Sequence, residues 1–374
     1  MKLPIADGRQ GRVKELDGWR AVSVSLVILA HLGAHQHEGF LSHYPRLASI
    51  GLATVIASFG NLGVKCFFVI SGFVICRLLI SEESRYGAIS LKAFYFRRAC
   101  RILPPFYLYL GVLSVLLSLG FIHEHGNEIL RAALFLSDLQ IWSRGWFEGH
   151  SWSLSVEEQF YILFPTMWVL TPKRWKGQVF VGIFFLCSVW NLSANYMNWD
   201  ALSHSVRGGF ACIAFGVLMA IHEARLRTVV KRFPFVLVTL IALALLLYPL
   251  DGTSWQQLTC ESLLAPPAIG LVLLFSLESK SWLRTFLLSK PMQAIGLTSY
   301  GIYLWQELFT ANQSDLAGRG ELLTVLLPLL FVIVPLSYFL LETPAMRLGK
   351  FLSSRARGGA IPPARLIEEP ISTL

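Results

Sequence analysis

Apolar runs about as long as a bilayer is thick recur along this chain from near residue 19 to near residue 341, and this recurrence constrains the fold more than any other feature. A helix rises 1.5 Å per residue, so about 20 residues cross the roughly 30 Å hydrocarbon layer. Inside that layer every backbone N–H and C=O must find its partner within the chain, which makes such runs helical. Windows of sufficient length fall near residues 19–36, 61–80, 103–120, 153–171, 178–195, 205–221, 233–250, 262–278, 291–309 and 322–341. They predict an all-α membrane protein, a bundle of about ten transmembrane helices. Residues 47–59 are too few to span, and 129–142 carry Arg131 and Asp138; both stretches read as interfacial or re-entrant helices.

Composition and charge decide the class of partner. Only 15% of the residues are charged, whereas a soluble domain uses about a quarter of its chain as charge, so a soluble enzyme is excluded. The net charge of +9 would suit nucleic acid in a soluble protein. Here the basic residues lie in short segments beside apolar runs, which excludes nucleic acid and makes the lipid bilayer the first partner. Segments 1–18, 77–101, 171–177, 222–232, 279–290 and 342–374 hold 25 of the 32 Lys and Arg residues, and the opposite loops hold only Arg46, Arg131, Arg144 and Arg319. The positive-inside rule then predicts a multi-pass protein of the cell membrane with both termini cytoplasmic. The chain divides into a cytoplasmic tail (1–13), a transmembrane domain (14–350) and a disordered cytoplasmic tail (351–374) containing Gly358, Gly359, Pro362 and Pro363. The start resembles a secretory signal, but Asp7, Glu15 and Asp17 spoil its basic region. The six cysteines are scattered without a C-x-x-C pair, so neither a disulfide framework nor a zinc site is expected.

A charge near the bilayer centre costs at least about 2.5 kcal/mol, so polar residues inside spans point to function. Arg20 and His31 lie in the first window; eleven residues at 100° each leave them about 20° apart on one helix face and roughly 16 Å apart along the axis. The alternative is an Arg20 that snorkels to the interface and a His31 that marks the outer boundary. His31 and His35 have the spacing of metal ligands, yet Glu38 is the only acid nearby and no H-E-x-x-H pattern occurs, so no metal is expected.

Arg97, Arg98 and Arg101 lie within one turn of each other before the third window. Together they make a cationic face suited to phosphate oxygens, or else an ordinary positive-inside anchor. The fourth window opens Trp152-Ser153-Leu154-Ser155-Val156-Glu157-Glu158, where Ser155 and Glu158 fit a capping box at a helix start. The apolar remainder is too short to span alone, so the acids dip below the interface, to the depth at which the predicted topology places His31. In the second window Ser71-Gly72 reads either as close helix packing or as backbone exposed to a ligand.

Together these stretches resemble the acyltransferase-3 family of multipass membrane O-acyltransferases. Leu16-Asp17-Gly18-Trp19-Arg20 running to His31 resembles its L-D-G-x-R opening and R-x10-H motif; Phe67-Phe68-Val69-Ile70-Ser71-Gly72-Phe73 is similar to its F-F-x-x-S-G-F. Arg97, Arg98 and Arg101 fall on R-R-x-x-R, and Trp152-Ser153-Leu154 with Glu157 and Glu158 on W-S-L-x-x-E-E. Ser299-Tyr300-Gly301-Ile302-Tyr303-Leu304-Trp305 and Leu341-Glu342-Thr343-Pro344 resemble the two C-terminal blocks. Lys65 departs from the acidic or neutral residue common there, and Gln306 stands where the family often has histidine. The short tail after the last window leads one to expect the stand-alone form rather than the form fused to an extracytoplasmic hydrolase-like domain.

The resemblance implies transfer of an acyl group, most often acetyl from acetyl-CoA, to a hydroxyl of a glycan or another extracytoplasmic or lipid-linked acceptor. In that reading His31 is general base or transient acyl carrier, oriented by Glu158 or Glu157. Arg97, Arg98 and Arg101 hold the CoA phosphates, with Ser71 and Gly72 beside the cofactor, and Arg20 steadies the donor or its thioester oxygen. The rival class is a transporter using Arg20, Lys65, Glu158 and Arg207 as a polar pathway; it calls for an internal repeat, and none is visible.

Overall fold

The computed structural model describes residues 13–34, 52–123, 126–139, 145–196, 205–233, 260–278, 281–311 and 327–357. The described residues are almost entirely helical and contain no strand. Three helices there are long and apolar enough by themselves to cross a bilayer, or four if one pair bent by 87° counts as a single span. The window at 233–250 lies outside the described residues.

Helix α1 (Lys14–Ala34) covers the first window. Helix α2 runs unbroken over Leu52–Tyr86. This corrects the expected separate interfacial helix at 47–59, whose described part continues straight into the second span. Helix α3 (Leu91–Ser118) begins twelve residues before its apolar window, because Ser90 caps it by accepting the Ala93 N–H. The three arginines are therefore helical. Gly126–Ala133 forms the short, strongly amphipathic α4. Helix α5 spans Ser151–Leu170, and the Ser155 Oγ donates to the Ser151 carbonyl at 2.9 Å. Ser155 thus lies a full turn inside the helix, which overturns the expected capping box. Helices α6 (Lys176–Tyr196) and α7 (Ser205–Ile221) follow, and the chain turns sharply at His222 into α8 (Glu223–Arg232). The rest of the described chain forms α9 (Ala265–Glu278), preceded by the π-helical turn Cys260–Leu264, then α10 (Trp282–Leu287), α11 (Lys290–Trp305), and α12 (Leu330–Ser337) and α13 (Thr343–Ala356), which the π-helical segment Tyr338–Glu342 joins into one long helix.

The most extensive packing joins α1 to α2, α2 to α7, α6 to α7 and α1 to α11. In the α2–α7 crossing a Cβ on Gly72 would lie 2.1 Å from the Ile213 carbonyl oxygen, and one on Gly216 would lie 2.3 Å from that of Val69. Backbones this close leave no room for a ligand between α2 and α7 at Gly72, where the glycine lets α7 approach.

Ion pairs tie the charged segments together. Buried Glu82 accepts from Arg97 at 3.0 Å and Arg357 at 2.7 Å, and also takes the Ser90 N–H. Glu83 meets Lys173 and Lys176, Arg77 meets Glu223 at 3.2 Å, and Arg284 meets Glu15 at 2.9 Å. Because α13 continues to Ala356 and Arg357 is held by Glu82, the expected boundary at residue 350 cuts through a packed helix.

Candidate functional site

Five helices contribute side chains to one pocket. Arg20 comes from α1, and Val64, Phe67, Phe68 and Ser71 come from α2. Arg98, Arg101 and Ile102 come from α3; Ser153, Leu154, Glu157 and Tyr161 from α5; Ser299, Tyr300 and Tyr303 from α11. The α5 residues Ser153, Glu157 and Tyr161 recur every four positions and so form one stripe. The α2 residues follow the spacing of a single helix face.

The pocket is polar and densely connected. The Ser71 hydroxyl donates to the Glu157 carboxylate and lies 3.1 Å from the Tyr161 oxygen. Tyr161 donates to the second Glu157 oxygen at 3.3 Å, while the Arg98 guanidinium sits over the Tyr161 ring at 5.1 Å. Arg20 donates to Asp17 at 3.1 Å. Tyr300 donates to the Ile102 carbonyl at 2.9 Å, beside a turn whose Pro104 and Pro105 lack the N–H groups that the Cys100 and Arg101 carbonyls would otherwise receive. Three guanidinium groups thus converge on a pocket with a single lining carboxylate, an excess of positive charge suited to a polyanion.

A second cluster forms where α1 nears its C-terminal end. The His31 Nδ1 lies 2.9 Å from the Oε1 of Gln306, and its ring stands edge-on to Trp146 with centroids 5.4 Å apart. Gln306 opens the 3-10 turn Gln306–Leu308 that follows α11. The next residue, Glu307, places its carboxylate against the Nδ1 of buried His150, and its backbone carbonyl accepts the Trp146 Nε1–H at 3.1 Å. His150 is packed between Tyr109 and Tyr303. Tyr303 in turn lies 2.6 Å from the Ser153 hydroxyl, so the layer of Tyr303, Ser153 and His150 joins the two clusters.

Of the residues singled out in the sequence, the pocket brings together Arg20, Arg98, Arg101, Ser71 and Glu157. Arg97 is absent from it, since its guanidinium belongs to Glu82; the expected three-arginine face is reduced to two plus Arg20. Glu158 lies beside the stripe rather than on it, and its Oε1 is buried with no hydrogen-bond partner among the described residues. The expectation that Glu157 or Glu158 orients His31 is also overturned. Glu157 faces Ser71 and Tyr161, and the partner of His31 comes from the end of α11, 275 positions away. Lys65 is buried but does not line the pocket; the side chain of Arg207 and the whole of His35 lie outside the described residues. Sequence reasoning missed Tyr161, although it stands one turn from Glu157, and it missed the pair His150–Glu307, for which no local signal existed.

A family model described as an acyltransferase domain matches residues 13–342. The chain belongs to the acyltransferase-3 family. Both clusters fall within the matched region, including every residue that the pocket draws from α1, α2, α3, α5 and α11. Among curated relatives, the peptidoglycan O-acetyltransferase OatA of Listeria monocytogenes is 26% identical over 377 residues, covering 90% of this chain and 56% of the relative. The O-acetyltransferase OatA of Staphylococcus aureus is 25% identical over 364 residues, covering 89% of this chain and 57% of the relative. The chain therefore spans little more than half the length of these relatives. No solved structure matches it.

Proposed function

We propose that this protein transfers an acyl group, acetyl above all, from acyl-CoA to a hydroxyl of a glycan or other extracytoplasmic or lipid-linked acceptor. The observation that carries the reading is the pocket in which Arg20, from the helix that also presents His31, meets Arg98 and Arg101 of α3. Phosphates of the donor bind the guanidinium groups, for which forked N–H donors are better suited than point charges. Helix α1 is continuous from Lys14 to Ala34, so Arg20 and His31 are roughly 16 Å apart on one face. The extended pantetheine arm spans a gap of that order.

His31 takes the proton of the acceptor hydroxyl as the oxygen attacks the thioester carbonyl. The tetrahedral intermediate collapses with cleavage of the C–S bond, and the proton passes from His31 to the departing CoA thiolate. The products are the O-acyl ester and free CoA. The glycan acceptor is supported by the Listeria relative, which is named a peptidoglycan O-acetyltransferase. The purified full chain incubated with acetyl-CoA labelled in the acetyl group is expected to consume the thioester. Movement of solute across vesicles without any thioester loss would instead favour a transporter.

The donor site makes a sharper prediction. Arg98→Lys combined with Arg101→Lys keeps the charge but removes the fork, and is expected to raise the apparent KM for acetyl-CoA by about tenfold, equivalent to ~1.4 kcal/mol. Arg97→Lys is expected to leave that KM unchanged, because Arg97 serves Glu82. An unchanged KM in the double variant would remove the phosphate role.

The same reading places the protein in the cell membrane with about ten spans and both termini cytoplasmic. The ion pairs support it: Arg77–Glu223, Arg97–Glu82, Arg357–Glu82 and Lys173–Glu83 link four of the basic segments that the charge count assigns to one side, and Arg284–Glu15 links the other two. Reporter fusions at Asp251 and at Leu374 are expected to report opposite sides. The same side for both would mean that a span has been miscounted.

A further inference from the structure

We propose that Gln306 is the positioning residue that selects the tautomer of His31, holding the proton on Nδ1 so that Nε2 is free to act as base; the inference rests on the reading of His31 as the base. A neutral imidazole carries one N–H and one lone pair, and whichever nitrogen is held by a hydrogen bond decides which nitrogen remains for chemistry. The amide oxygen of Gln306, 2.9 Å from Nδ1, accepts only if Nδ1 bears the proton.

Three further observations make this contact a fixed one. Gln306 is wholly buried at 0% exposure, so water does not compete for its oxygen. The 3-10 turn that carries it is anchored by its neighbour, since Glu307 holds His150 through the carboxylate and Trp146 through the backbone carbonyl. Trp146 in turn presses edge-on against the His31 ring, which leaves the imidazole restrained at its Nδ1 edge and beside its face. The turn therefore presents two adjacent acceptors to the Nδ1 atoms of two histidines. The acceptors differ in charge. A carboxylate stands beside the His150 ring, whereas the amide orients the His31 ring without a formal charge.

The test uses the full chain in nanodiscs with 15N- and 13C-labelled histidine, the His31 signals being assigned by their loss in His31→Gln. Ring 15N shifts are expected to show the Nδ1–H tautomer in the wild-type protein. Gln306→Met keeps the volume but removes the oxygen, and is expected to give a mixture of tautomers. In the same variant kcat for acetyl-CoA turnover is expected to fall about 10- to 100-fold, the size of effect seen when the hydrogen-bond partner that orients a metal-bound histidine is lost, while KM for acetyl-CoA stays constant. A wild-type spectrum dominated by Nε2–H, or an unchanged tautomer in Gln306→Met, would overturn the inference. Because the wild-type spectrum alone decides, a Gln306→Met chain that fails to fold does not protect it. Absence of acetyl-CoA turnover in wild-type protein that nevertheless shows Nδ1–H would sink the acyltransferase reading and, with it, the functional meaning of the tautomer.

Discussion

His31→Gln is expected to reduce acyl transfer by a factor on the order of 10² to 10⁴, the usual contribution of a positioned general base, while insertion, folding and donor binding stay intact. Glutamine keeps the size and polarity of the side chain and can still meet Gln306, so the loss isolates the proton acceptor. Donor affinity should survive because Arg98 and Arg101, on α3, and Arg20, three turns earlier on α1, are untouched. The measurement is initial-rate transfer from labelled acetyl-CoA together with equilibrium binding of the same donor. If the variant inserts normally and acylates at the wild-type rate, the base lies elsewhere, and the geometry names where to look. His150 has its Nδ1 on a carboxylate and its Nε2 buried with no partner among the described residues, which is the arrangement of an oriented base. Glu157 is a weaker alternative, since both its oxygens are already engaged by Ser71 and Tyr161.

Gly72→Ala is expected to cost the fold roughly 3 kcal/mol or more, the upper part of the range for forcing atoms into a packed interior. The added carbon would meet the Ile213 carbonyl oxygen at 2.1 Å, and that oxygen belongs to backbone, so α2 and α7 can accommodate it only by separating. Elsewhere in a helix the same substitution is favourable by up to about 1 kcal/mol. Gly111→Ala, in α3 with nothing within 4 Å of the added carbon, therefore serves as the control and is expected to be neutral or stabilising. Thermal unfolding in detergent would compare the two variants. The Gly72→Ala molecules that remain folded are expected to bind acetyl-CoA with wild-type affinity; a selective loss of affinity at full stability would return Gly72 to the cofactor site.

Much of the architecture was legible before any coordinates. Apolar runs near 20 residues long have one backbone solution in hydrocarbon, which is why the helices over 153–171, 178–195 and 205–221 appear within a few residues of their windows. The motif residues Arg20, Ser71, Arg98, Arg101 and Glu157 were all singled out by type and spacing, and all five line one pocket. Local spacing failed wherever two neighbouring residues competed for one role. Arg97 and Arg98 are 100° apart on α3 and both lie about a turn from Arg101, so periodicity alone could not say which would turn to Glu82 and which to the pocket. Glu157 and Glu158 pose the same ambiguity on α5.

Sequence by itself determined the helical class, the helix on which Arg20 and His31 share a face, and the set of charged residues from which a site could be built. These follow from terms that act within one helix, namely the cost of unpaired backbone in hydrocarbon and the 100° step between side chains. Tertiary structure decided the pairings: Gln306 rather than a glutamate for His31, Glu82 for Arg97, Ile213 against Gly72, and Glu307 against His150. Each joins separate elements, and which face of a helix turns toward which neighbour depends on how all the helices pack at once, a property that no local stretch of residues carries.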